Sequence, residues 1–71
     1  MNIIELIQRT CSCNEAEARE HLDNEVRNLR ELRELEAEGL ATLEYRDFEY
    51  ACDNLGIEYD YIEYFMNQLA A

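Results

Sequence analysis

The chain has 71 residues, 48% of them hydrophobic, enough to close one modest core and too few for a multidomain machine. Seventeen Asp and Glu stand against six Arg and no Lys, a formal net charge of −11. That sign opposes direct contact with nucleic acid or an anionic membrane, and without Lys there is neither a Schiff-base lysine nor a Walker-A phosphate loop.

Zero Pro, two Gly and abundant Glu, Leu, Arg and Ala favour helix, and the apolar residues recur at helical spacing. The expected fold is all-α: a small bundle of about four helices with a long second helix, one domain over residues 1–71. The first helix is predicted from an Asn2 cap through Ile3, Ile4, Leu6 and Ile7 to about Arg9, short enough to need tertiary support. A turn follows over Thr10 to Asn14. Ser12 and Glu15 have the S-x-x-E spacing of a capping box, which starts the second helix near Cys13.

That second helix runs to about Glu38 and carries Ala18, Leu22, Val26, Leu29, Leu32 and Leu35 as a broad apolar stripe. Gly39 suits the left-handed position that ends a helix, with Leu40 and Leu35 as the accompanying hydrophobic pair. Residues 40–44 are open to three readings: a loop, a short extended segment, or an early start to the third helix capped by Thr42. The third helix presents Phe48, Ala51, Cys52 and Leu55, and Gly56 ends it with Ile57 folding back on Cys52. A fourth helix from about Glu58 presents Ile62, Phe65, Met66 and Leu69, with Glu58 and Asp60 in the first turn, where the helix dipole favours acids.

No apolar run approaches the ~20 residues of a membrane span, and the first residues lack the basic and apolar regions of a secretion signal. The expectation is a cytoplasmic protein. Three cysteines, Cys11, Cys13 and Cys52, are an odd number, and reduced thiols are expected rather than a disulfide framework. With His21 they comprise the donors of a zinc site, but C-x-C is shorter than the usual C-x₂₋₄-C knuckle and Cys52 falls on an apolar face, so the expectation is no metal and no cofactor. Glu25 lies on the wheel between Leu29 and Leu32; His21 or an Arg would satisfy it if buried, and otherwise it is an edge position with its head in water. Ser12 is the only Ser and no cysteine is adjacent to His21 in sequence, so no catalytic residues are assigned and an enzyme is not expected.

The charge is unevenly compensated. Up to Leu43 there are ten acids and five Arg; after it, seven acids and Arg46 alone, which divides the net charge as −5 and −6. In the second helix Glu15/Arg19, Asp23/Arg27 and Arg30/Glu34 have the i,i+4 spacing of solvated ion pairs. From Glu44 to Glu63 the acids are interleaved with Tyr45, Tyr50, Tyr59, Tyr61 and Tyr64. Helical carboxylates such as Glu49 and Asp53 project ~6 Å apart, comparable to the charge spacing of a nucleic-acid backbone, and tyrosines offer rigid amphipathic contact area. The candidate partner-binding residues are therefore Glu44, Asp47, Glu49, Tyr50, Asp53, Tyr59, Asp60, Glu63 and Tyr64. The plainer alternative is that these acids solubilise the chain while the rings complete its core. Leu22, Leu29 and Leu32 are the expected self-association contacts of a homodimer, because the second helix's stripe is broad for so short a chain.

Two resemblances accompany these readings. Ile3-Ile4-x-Leu6-Ile7-x-x-Thr10, followed by Glu17-Ala18 and Leu22, resembles the first two helices of ubiquitin-associated-like modules; the second helix here is much longer and no Gly occupies the first loop, so ubiquitin-type binding is not implied. The same opening in a small acidic chain rich in Asp, Glu and Tyr resembles phage-encoded inhibitors of the anti-CRISPR type. That likeness implies a non-enzymatic inhibitor on the basic surface of a nucleic-acid-binding protein, of the anti-CRISPR or anti-restriction type. The alternative is a homo-oligomeric helical adaptor or scaffold that uses an apolar helix face.

Overall fold

In the computed structural model, which describes residues 2–70, four helices follow one another: α1 (Ile3–Cys11), α2 (Glu15–Ala37), α3 (Tyr45–Leu55) and α4 (Ile62–Ala70). A single 3₁₀ turn, Tyr59–Tyr61, leads into α4, and no strand occurs among the described residues. The all-α bundle with a long second helix is therefore as expected. At 23 residues α2 spans about 34 Å, close to the 38 Å long axis of the molecule.

The helix ends have local causes. Asn2 caps α1 by accepting the Glu5 N–H at 2.8 Å. α1 then runs past Arg9 to Cys11 and stops on Ser12, whose backbone is left-handed (φ 52°). Cys13 N–H closes the stop by donating to the Gln8 carbonyl at 3.2 Å. The expected Ser12/Glu15 capping box is thus corrected. Ser12 ends α1, and a left-handed residue lacks the extended backbone of an N-cap. Asn14 caps α2 instead: its side chain accepts the Glu17 N–H at 2.8 Å, and Glu17 accepts the Asn14 N–H at 3.1 Å.

Both glycine stops form as expected. Leu40 N–H donates to the Leu35 carbonyl at 2.8 Å around Gly39 (φ +76°), and Ile57 N–H donates to the Cys52 carbonyl at 3.0 Å around Gly56 (φ +68°). They differ in burial: Ile57 and Cys52 belong to the core, whereas Leu35 and Leu40 are 40% and 71% exposed. Residues 41–44 are a loop, held to α2 by the Leu43 N–H donating to Glu36 Oε2 at 2.8 Å. α3 begins at Tyr45, where Glu44 N–H donates to the Asp47 carboxylate at 2.7 Å.

The core takes Ile7 from α1, Ala18, Leu22 and Leu29 from α2, Phe48, Ala51, Cys52 and Leu55 from α3, Ile57 from the connection, and Ile62, Phe65 and Leu69 from α4. Ala18 is fully buried, and so small a side chain lets the axes of α1 and α2 approach closely. Met66, expected on the apolar face of α4, is 41% exposed. Thr10 Oγ1 donates to the Leu55 carbonyl at 2.8 Å, which ties the end of α1 to the end of α3.

Of the self-association contacts, Leu22 and Leu29 are corrected: both are only 5% exposed and lie in the chain's own core. α1, α3 and α4 all pack against α2 and cover Ala18, Leu22 and Leu29 of its stripe. Leu32 is half-buried. The helix-surface ion pairs are also partly corrected. Arg19 pairs with Glu15 at 3.5 Å. Arg27 instead donates to Asn24, and Arg30 Nη2 reaches the Gln68 carbonyl at 3.2 Å, where the last turn of α4 leaves acceptors open.

Candidate functional site

The Glu44–Glu63 segment comprises α3, the Gly56 stop and the 3₁₀ turn into α4, so five of its seven acids are presented from helical backbone, with Glu44 and Glu58 on the extended residues just before α3 and the 3₁₀ turn. At its start the acids have local duties. Asp47 caps α3, and Glu44 Oε2 receives Arg46 Nε at 2.8 Å. Arg46, the one cation of the segment, is thereby committed at the N-terminal end of α3.

One turn further on, Glu49 and Asp53 share a face of α3 at i,i+4. Gly56 reverses the chain so that Tyr59 returns to them, and its hydroxyl donates to Asp53 Oδ2 at 3.2 Å. Three of the expected residues, Glu49, Asp53 and Tyr59, are thus brought together. The Tyr59 phenol is held above its ordinary value of 10.0, first by this hydrogen bond, then by desolvation, and then by the negative charges of Asp53 and Glu49 around it. The same carboxylates act on Cys52 beneath them: burial first, then Asp53 and Glu49, push its thiol from 9.0 to about 11. Asp60 and Glu63 are exposed on the turn and on α4. The ion pairs among the described residues give none of Glu49, Asp53, Asp60 or Glu63 a cation.

The tyrosines divide. Tyr45 and Tyr50 are each 58% exposed and Tyr59 is 47% exposed, which suits contact with another molecule. Tyr64 is half-buried, edge-on to Phe65 with ring centroids 5.6 Å apart, and with Tyr61 it packs against the core. The plainer alternative, rings completing the core, therefore holds for Tyr61 and Tyr64. Tyr50 and Asp47 also line a cleft between α2 and α3 whose apolar part is Leu29, Leu32 and Ala51.

Glu25 sits at this cleft, half-buried, and receives the Asn54 side-chain amide at 3.2 Å. Its partner is neither His21 nor an Arg, because α3 crosses α2 at this level and delivers Asn54 first. Periodicity carries no signal for Asn54, a polar position one residue before Leu55.

His21 is instead drawn to the first turn. The donor atoms of Cys11, Cys13 and His21 all lie within 4.8 Å of one another. Cys11 and Cys13 are joined in a disulfide, where free thiols were expected, with Cα atoms 5.4 Å apart. Ser12 is the reason: its left-handed backbone folds the C-x-C segment so that both sulfurs gather over the Ile7 carbonyl, at 2.9 and 3.9 Å. Cys52 is separate, fully buried and unpaired in α3.

No protein-family model matches the chain. No curated protein and no solved structure matches it either. Its functional reading therefore rests on the site chemistry. No helix of the described residues is long and apolar enough to cross a membrane.

Proposed function

We propose that this chain is a non-enzymatic binding protein whose α3–α4 surface occupies the basic nucleic-acid-binding groove of another protein and so competes with nucleic acid. The observation that carries the reading is the commitment of Arg46 to Glu44, which leaves Glu49, Asp53, Asp60 and Glu63 without a cation on a helical scaffold beside exposed Tyr50 and Tyr59. A rigid anionic face steers a cationic groove onto itself, and the rings supply low-entropy contact area and surfaces on which Arg can stack. Anti-CRISPR and anti-restriction inhibitors are the class of protein this mode of action suits.

The test is to immobilise the chain, capture basic proteins from a cell lysate, and repeat the capture at high ionic strength and with competing nucleic acid. Mimicry predicts capture that both salt and nucleic acid abolish. The variant Glu49→Gln, Asp53→Asn, Asp60→Asn, Glu63→Gln keeps side-chain size and is expected to lose the interaction, since breaking a desolvated charge pair costs roughly 2–5 kcal/mol.

A second reading rests on the α2–α3 cleft, where Leu32 and Tyr50 flank an apolar strip at the surface. There the chain acts as an adaptor, or as half of a homodimer, through an apolar contact that salt barely affects. Leu32→Asp abolishing capture while the tetra-amide variant retained it would select that reading over mimicry.

A further inference from the structure

We propose that Cys11, Cys13 and His21, once the Cys11–Cys13 disulfide is reduced, form a three-ligand site for Zn²⁺ with one coordination position left to water. Three observations carry it. The donor atoms already lie within 4.8 Å of one another although His21 belongs to α2, Cys11 to the end of α1 and Cys13 to the turn between them. Ligands about 2.3 Å (thiolate) and 2.0–2.1 Å (imidazole) from a tetrahedral zinc sit roughly 3.6–3.8 Å apart, so the cluster is close to that size before any ion enters. With Cα atoms 5.4 Å apart, rotation about the two Cα–Cβ bonds spans this distance for the sulfurs. The second observation is Ser12, the one non-glycine residue with positive φ among the described residues. A left-handed residue between two cysteines turns C-x-C into a pincer, which removes the objection that its spacing is too short. A sparsely populated backbone conformation is a frequent companion of ligand sites.

The third observation is the surroundings. Cys11 and His21 border a cleft otherwise lined by Ile7, Leu55 and Asn54, which offers no carboxylate as a fourth ligand. Three protein donors and a water make the open coordination seen where zinc meets an exogenous group rather than only bracing a fold. A water-soluble phosphine takes the oxygen of one water and becomes its oxide, while the disulfide gains two electrons and two protons as two thiols. Zinc then displaces both thiol protons to solvent and binds two thiolates and a neutral imidazole.

The experiment uses the full chain, reduced with the phosphine, freed of it and titrated with Co²⁺ without oxygen, Co²⁺ standing in for zinc because its spectrum reports the ligands. The expected result is one Co²⁺ per chain, tetrahedral d–d bands, sulfur-to-metal charge transfer of two thiolates, and displacement by Zn²⁺. Cys11→Ser and Cys13→Ser should each remove about half of the charge transfer, one thiolate of two. His21→Asn should keep the charge transfer and weaken binding at least about tenfold, as loss of a ligand must exceed loss of a supporting contact. Cys52→Ala should change nothing, and helical circular dichroism checks that each variant is folded. Absence of thiolate charge transfer in the reduced wild-type chain overturns the proposal without recourse to any variant. So does charge transfer lost in folded Cys52→Ala, or undiminished affinity in folded His21→Asn.

Discussion

Along α2 the acids alternate with Arg19, Arg27, Arg30 and Arg33, whereas from Glu44 to Glu63 seven acids share Arg46. Counted by sequence, the first region is half compensated, eight acids to four Arg in α2, and the second far less. The structure refines both halves of that contrast. On α2 only Arg19 makes its i,i+4 ion pair; Arg27 goes to Asn24 and Arg30 leaves the helix surface for the Gln68 carbonyl. On α3 the lone Arg46 is held by Glu44, one turn before Glu49 and two before Asp53. A cation count gives the net field, while the geometry of each Arg decides which carboxylates keep theirs.

The strongest test compares amide substitutions in the two regions. Neutralising Glu49, Asp53, Asp60 and Glu63 should weaken partner binding by several kcal/mol, on the order of the cost of broken interface charge pairs. Neutralising Glu20, Glu31, Glu34 and Glu38 of α2 and its C-cap removes the same charge and should cost less than about 1 kcal/mol, through screened long-range attraction alone. Titration calorimetry against the captured protein reads both. Equal losses would reduce the contrast to net charge.

A smaller effect separates the two glycine stops. Gly39→Ala meets nothing within 4 Å and bears only the left-handed strain, roughly 1–2 kcal/mol. At Gly56 an added Cβ would also lie 3.3 Å from Thr10 Cβ, in the contact that seats α1 on α3. Urea unfolding should show Gly56→Ala as the more damaging, by about 1 kcal/mol or more. A ranking in the other order would mean that the overhanging end of α2 is more tightly held than its exposed Leu35 and Leu40 indicate.

Smaller still are the effects at the α1–α2 turn. Asn14→Ala should destabilise by about 1 kcal/mol, as loss of a helix cap does. Ser12→Gly should stabilise by up to about 1 kcal/mol, because glycine adopts the left-handed backbone without strain. If Ser12→Gly were instead the damaging change, Ser12 would be acting as the cap after all.

The alkaline limb of stability is the finest probe of the acidic face. Cys52 and Tyr59 both titrate above their ordinary values in the folded chain. Their neutral forms therefore favour the folded state fully at low pH. For Cys52 that contribution begins to fall near pH 9.0 and is gone by about 11; for Tyr59 the fall begins near 10.0. Asp53→Asn removes one of the charges behind both shifts and should move the Tyr59 titration downward, read by NMR of its ring against a Tyr59→Phe control. A Tyr59 titration that stayed in place would mean that the Asp53 contact is absent in solution.

The helices and most of their ends were legible in the sequence because their causes are local: a 3.6-residue period, the Asn2 cap, and Gly39 and Gly56, each within a few residues of what it controls. The choice between Ser12 and Asn14 was not, since both have an acidic residue three positions later, and only the left-handed turn at Ser12 separates them. Candidate acids could be named from charge density, but their division could not. Which carboxylate caps α3 and which holds Arg46 is decided by where the helix starts, and which one meets Tyr59 by the backbone direction after Gly56. Leu22 and Leu29 looked like a dimer surface because a helical wheel shows that a face is apolar without showing what covers it; α1, α3 and α4 do. The Asn54–Glu25 contact and the Cys11, Cys13 and His21 cluster likewise join residues from different helices. Periodicity and capping act along the chain, so the sequence alone determined four helices and an acidic second half. Contacts between helices depend on how those helices pack in space, and only the tertiary structure decided them.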